Sequence, residues 1–469
     1  MPSKRYKLTL TVEGLVHIGD GGKYGKKDYF LERGKVSILD APAFVVKLNP
    51  EQLNSYCEFL KEDSYSGLQD YLGKNKVLAG TIRKAVLYQL DSLPVLVQRG
   101  SYQHFGIWRF VKDAHGCPYV PGSSIKGMLR TAILISLIAR DRQAYERLYS
   151  RERVLKDRQR ADGGIQRKAF WVGQLDRGGD SAVNDVLRYL SVSDSDPLSV
   201  DDLVLAKKYD KFSKRDDGRH KKKLRKTSDE EAYYQGNELP IYRECLRPGT
   251  TIRTTLTVDE RICQYFDDLR LDRDGLPKAL LFSYELYKKC FLRHFDIDGG
   301  TTSAKKDASS DGTCRYVAQG GPFAGMRCRN RAVGDTGYCN THKEYAKSGD
   351  TGGSGSAQDP VCYLGGGIDF NTKTIENALF VDEGRRVDEV SHILFDQFPT
   401  KLDKQRHAAL IAEVQQANFR PELKKAKEDH RHWRDGALGV SPHTLKMGKV
   451  QDKMYPMGKC RARFEELDN

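Results

Sequence analysis

No uninterrupted apolar stretch in these 469 residues reaches the roughly 20 needed to span a bilayer. Nothing at the start reads as a secretory signal either, because Met1–Lys7 leads straight into the alternating run Tyr6, Leu8, Leu10, Val12. Ten cysteines are too sparse in a chain this long for a disulfide scaffold. Seven of them (Cys57, Cys117, Cys245, Cys263, Cys290, Cys362, Cys460) are scattered and read as reduced, partly buried thiols. Paired carboxylates suited to acid–base work are also few. Asp194 and Asp196 sit at a strand end and read as turn residues or hydrogen-bond acceptors. His294, Asp296 and Asp298 read as the polar side of a short strand. The glycine-rich run Leu364–Phe370 lacks the Gly-Lys-Ser/Thr ending of a nucleotide P-loop. These absences point to a soluble, intracellular protein with no membrane partner and no evident catalytic centre.

What is abundant is positive charge. Lysine and arginine number 78 against 64 acidic residues, a net charge of +14 that favours polyanions, nucleic acid first. Eleven lysines and arginines against three aspartates give residues 207–226 a local charge of +8, more than half of that excess. Strand-like runs flank this segment, so it reads as a basic hairpin projecting from a sheet, with Lys221, Lys222, Lys223 and Arg225 at its tip.

The densest information lies in Pro121–Thr131 (Pro-Gly-Ser-Ser-Ile-Lys-Gly-Met-Leu-Arg-Thr). Pro121-Gly122 breaks an extended run, and Ser123 or Ser124 suits a helix N-cap. Apolar residues at 125, 128, 129, 132 and 133 then recur at helical spacing. Lys126 and Arg130 share one face at i and i+4. Free N–H groups, the helix dipole and two cations would together make an anion site.

The remaining pattern mixes α and β without a strict βαβα rhythm. A strand over Tyr6–Val12 is followed by a glycine-studded loop from His17, then strands over Lys35–Leu39 and Ala43–Leu48. Helices are expected over Pro50–Leu60, Ser66–Leu72 and Ala79–Tyr88, and one long helix runs from the Pro121 turn to about Tyr149. Strands are expected near Leu190–Ser193, Leu203–Lys208, Pro240–Glu244 and Thr251–Val258. His17, with Lys23 and Tyr24 nearby, has the residue types of a metal-independent ribonuclease, though a local packing role fits the histidine better. Gly365, Gly366 and Gly367 could bring backbone N–H groups against phosphates.

Residues 299–358 look inserted, with Gly/Ser/Thr linkers on both sides. Between the linkers, Cys314, Cys328, Cys339 and His342 follow with 13, 10 and 2 residues intervening. Three thiolates and an imidazole suit one tetrahedral structural zinc, which would supply the folding free energy that so few apolar residues cannot.

Three stretches carry a family resemblance: Val16–Tyr24, Pro118–Ala132 and the Gly-rich loop ahead of Lys373-Thr374. Together they resemble the RAMP superfamily of CRISPR systems. The His-Ile-Gly loop with its Lys-Tyr, and the run Tyr242–Thr250, are most similar to the backbone-capping subunit of the type III-A (Csm) effector complex. The resemblance implies an α+β chain with two RRM-like (ferredoxin-like) domains. One would span 1–265 with the basic hairpin 207–226, and the other, RRM-like and helical, 266–298 and 359–469, with 299–358 as the zinc-knuckle-like insert. It implies a subunit that binds guide RNA (crRNA) and meets target RNA, paralogous backbone subunits and the small helical Csm subunit. It implies support of guide maturation without a nuclease centre of its own, the alternative being a RAMP endoribonuclease that trims guide precursor with His17. On this resemblance Lys126 and Arg130, with Ser123 and Ser124, grip guide phosphates. His17, Gly19, Lys23 and Tyr24 shape a neighbouring RNA-contact loop, and the basic hairpin acts as a thumb.

Overall fold

The computed structural model describes residues 3–32, 34–62, 67–91, 105–149, 158–171, 184–216, 236–266, 274–296, 359–417 and 419–467. Residues 1–296 and 360–469 form one compact unit and 297–359 a second. The zinc ligands expected at Cys314, Cys328, Cys339 and His342 lie outside the described residues, as do Lys221, Lys222, Lys223 and Arg225.

Fourteen strands are found among the described residues: β1 (Ser3–Val12), β2 (Gly19–Tyr24), β3 (Tyr29–Glu32), β4 (Lys35–Leu39), β5 (Val86–Asp91), β6 (Ile107–Phe110) and β7 (Leu190–Val192), then β8 (Leu203–Phe212), β9 (Gly236–Leu246), β10 (Thr251–Asp259), β11 (Val361–Tyr363), β12 (Thr444–Val450), β13 (Lys453–Pro456) and β14 (Lys459–Leu467). With the helices between them they make an α+β chain.

The central sheet runs β11-β14-β1-β10-β7, antiparallel throughout. Its alternation is visible in β1, where Tyr6, Leu8, Leu10 and Val12 are buried on one face. Opposite them Ile252, Leu256 and Val258 of β10 and Cys460 and Ala462 of β14 share that face. Two helices, Gly122–Arg140 and Gly275–Cys290, meet each other above it and bury Ile125, Leu129, Ile133, Leu276 and Leu280 in the same core. Reduced to its essentials the path is β1, helix, β7, β10, helix, β14, with β14 and β10 flanking β1. The expected boundary at 265/266 therefore does not separate one core from another: β14, at the far end of the chain, pairs with β1 from Arg5 to Val12.

A six-stranded sheet, β13-β12-β8-β9-β6-β2, is antiparallel except where β6 runs parallel to β9. A three-stranded sheet, β3-β4-β5, carries four short helices and a core of its own around Phe44, Tyr56, Phe59 and Leu68.

Several expected elements differ. The glycine-studded loop is in fact edge strand β2, pairing with β6 through an irregularity between Gly19 and Lys23. Ala43–Leu48 is not a strand. Asp40 accepts the Ala43 N–H at 2.9 Å and Pro42 sits in the first turn, so Ala41–Val45 is a short capped helix. The helix expected over Ala79–Tyr88 ends at Ile82, and Val86 already belongs to β5. The long helix stops at Arg140, and Asp141 caps a separate helix, Arg142–Leu148. Gly122–Arg140 is also the one described helix long and apolar enough to cross a membrane; here it is the core helix of the central sheet.

Candidate nucleic-acid interface

The cap of helix Gly122–Arg140 is Pro121, two residues before Ser123 and three before Ser124. It makes no side-chain bond, and the capping interaction comes from across the fold. The Gly122 N–H donates to Asp194 Oδ1 at 2.7 Å. Ser124 and Ile125 donate to the Pro121 carbonyl at 2.9 and 3.4 Å. A carboxylate at the positive end of the helix thus supplies the anion that the sequence reserved for phosphate. Gly122 makes this possible, since a Cβ there would lie 2.7 Å from the Ser193 carbonyl oxygen.

Arg130 is likewise committed. Its guanidinium meets Asp185 at 2.5 Å, donates to Gln166 Oε1 at 2.9 and 3.1 Å, and lies 4.2 Å from the Phe170 ring centre. Lys126 is half-buried, and desolvation draws its ammonium below the usual lysine range while Asp185 pulls the other way. Of the two cations read as a phosphate grip, Arg130 holds the fold together.

His17 packs inward, only 6% exposed. Its Nδ1 bonds the Glu244 carbonyl at 2.8 Å. Burial pushes its pKa down to about 4, so the ring is neutral at pH 7. Its own carbonyl accepts the Gly366 N–H at 2.6 Å. Gly365 turns there with φ +92°, and a Cβ would collide with the same carbonyl. His17 therefore pins the Gly365–Gly367 loop to β9 and does not face outward.

Beneath it Glu244, fully buried, accepts from the Phe110 N–H (2.8 Å), the Lys112 ammonium (2.7 Å) and the Tyr88 hydroxyl (2.5 Å). Tyr24 bonds Tyr88 at 3.0 Å, which ties the β2 edge into this network. Lys23 is exposed and lies 3.8 Å over the Trp108 ring. Gly19 is exposed beside the His17 ring.

The basic hairpin is more strand than loop at its start. Lys207, Lys208 and Lys211 lie in β8; Lys207 pairs with Glu238 at 2.7 Å and Lys208 with Asp210 at 3.6 Å. Lys214 pairs with Asp296 at 3.2 Å.

What the fold does assemble is a cleft of about 460 Å³ where the three sequence motifs converge. Ser123, Ser124, Gly127, Met128 and Thr131 form one wall, a single stripe of the core helix. Leu280, Ser283, Tyr284 and Tyr287 of Gly275–Cys290 face them. Ile18 and Gly19, Gly365 and Gly366, and strand β11 close the floor. Tyr287 is fixed by a 3.0 Å bond to Asp369, a fully buried carboxyl whose pKa burial raises to about 7. Lys373 also lines the cleft; desolvation lowers its pKa, and no acidic group contributes to that shift. Ser123, Ser124, Gly365 and Gly366 are thus brought together, whereas Arg130 and His17 serve the framework around them. Tyr284, Tyr363 and Met128 carry no chemistry-bearing motif, and only the helical stripe at 123, 127 and 131 could have marked this wall.

Residues 107–299, which contain the core helix, β7 to β10 and the second helix, match the profile of the RAMP superfamily. Along its whole length the chain is 27% identical to the CRISPR system Cms protein Csm5 of Mycobacterium tuberculosis, over 99% of both chains. It is 25% identical to Csm5 of Streptococcus thermophilus over 63% of this chain and 74% of that one. Its fold resembles a chain of a Csm–crRNA–target RNA ternary complex from a type III-A CRISPR–Cas system. The TM-score there is 0.55 at 17% identity, covering 98% of this chain and all of the other.

Proposed function

We propose that this protein is a RAMP-superfamily chain and the Csm5-type subunit of a type III-A CRISPR complex, binding crRNA, meeting target RNA, and packing against paralogous RAMP subunits and the small helical subunit. The near-complete match to Csm5 carries this reading, since it extends over both chains rather than over one shared domain. The order β14-β1-β10-β7, with one helix before β7 and one before β14, supports an RRM-like module at the centre. An excess charge of +14 suits a ribonucleoprotein working in the cytoplasm.

The protein holds RNA and does not cut it. A buried His17 with a pKa near 4 is poorly matched to proton transfer at neutral pH, where an acid–base catalyst should titrate near the working pH. Phosphate contacts dominate affinity, so binding of single-stranded RNA should fall steeply as salt rises, by about 300-fold or more between 50 and 200 mM if six or more phosphates are neutralised. Anisotropy titrations across that range test this, and salt-independent binding would count against it. The insert holds one structural zinc through Cys314, Cys328, Cys339 and His342, a reading supported by spacing alone. Metal analysis of the purified chain should then find about one zinc per molecule, as a single four-ligand set allows.

A further inference from the structure

The cleft between the two helices has features that general RNA binding does not require. At about 460 Å³ it falls among small-molecule sites rather than packing defects. Part of its lining is apolar and aromatic, with Met128, Tyr284 and Tyr363. Ser123, Ser124 and Ser283 also line it, together with the exposed Lys373. We propose that the cleft seats one unstacked nucleotide of a bound single strand, its base against Tyr284 and Met128 and its phosphodiester beside Lys373.

This rests on the RNA-binding reading and adds a fixed place for one nucleotide. A flat π-face suits the tyrosine and the thioether, and stacking of this kind tolerates any base. The hydroxyls supply donors and acceptors that a purely apolar ligand would leave unsatisfied. A single lysine matches the single charge of a phosphodiester. A free nucleoside triphosphate would bring several charges, for which the described cleft holds no further cation. The lining comes from segments more than seventy residues apart, so the seat forms only in the folded chain.

Gly127 provides the test. No atom lies within 4 Å of a Cβ built there, so Gly127→Leu should fill the cleft without displacing its walls. Leucine is also the better helix former, so the variant should unfold at the same temperature as the parent chain or higher. Its affinity for a short single-stranded RNA should drop by about 5- to 100-fold, the value of one stacked base. Tyr284→Leu, which keeps apolar volume and loses the ring, should weaken binding in the same direction. With 5-iodouridine in the RNA, photo-crosslinks should map to the peptide containing Tyr284 and vanish in Gly127→Leu. If Gly127→Leu binds as the parent does, or the crosslinks map only elsewhere, the seat is wrong while RNA binding stands. If the parent chain binds no RNA at all, both fall.

Discussion

At His17 the folded protein holds an imidazole that prefers to stay neutral. Its pKa is about 4 in the fold, against an ordinary value of 6.5. Between those values the unfolded chain binds a proton that the folded chain refuses, so stability rises with pH across this window. The contribution is complete above about pH 6.5 and is lost as pH falls toward 4, reaching roughly 3 kcal/mol. Denaturant unfolding at pH 7 and pH 5 should therefore show the parent chain losing roughly 2 kcal/mol more than His17→Gln. Parallel losses in the two proteins would contradict the buried, neutral histidine. The sequence marked His17 as either catalyst or shaping residue; only its partner, the Glu244 carbonyl 227 positions away, decides between them.

Two glycines of the core helix, five residues apart, should respond in opposite ways. Gly122 presses against the Val192 and Ser193 carbonyls, so Gly122→Ala should destabilise by about 1–3 kcal/mol, as overpacking does. Gly127 faces open space, so Gly127→Ala should stabilise by up to about 1 kcal/mol through helix propensity. Thermal unfolding of the two variants checks both signs, and equal shifts would contradict the cleft geometry. The helix itself was legible from its apolar spacing, and so were β1, β7, β8, β9 and β10. Edge strand β2 was not, because Gly-Asp-Gly-Gly has no strand preference and its order comes from pairing with β6. The run Ala43–Leu48 misled for the converse reason: its valines favour a strand, but Asp40 and Pro42 start a helix. The residues of the Pro121–Thr131 device were legible, but the carboxylates that meet them within the fold were not. Asp194 and Asp185, distant in sequence, fill the helix end and the arginine.

Over the whole molecule, the surplus of cations is the property that composition expressed most plainly, and some of it is neutralised inside the fold. Lys112, Lys207 and Arg130 each face a carboxylate. The open face of the central sheet, opposite the buried residues of β1, carries Lys7 with Arg253 and Arg463 on either side of Thr9. That arrangement needs the register of three strands drawn from both ends of the chain, which no local pattern conveys. The proposed role is membership of an RNA-bearing assembly in which this protein holds RNA. Affinity purification of the tagged chain from its own cells, with sequencing of bound RNA and mass spectrometry of bound proteins, tests it most directly. The account predicts short RNAs of CRISPR-repeat origin together with paralogous RAMP subunits. Recovery of the chain alone, free of RNA and of such partners, would contradict it.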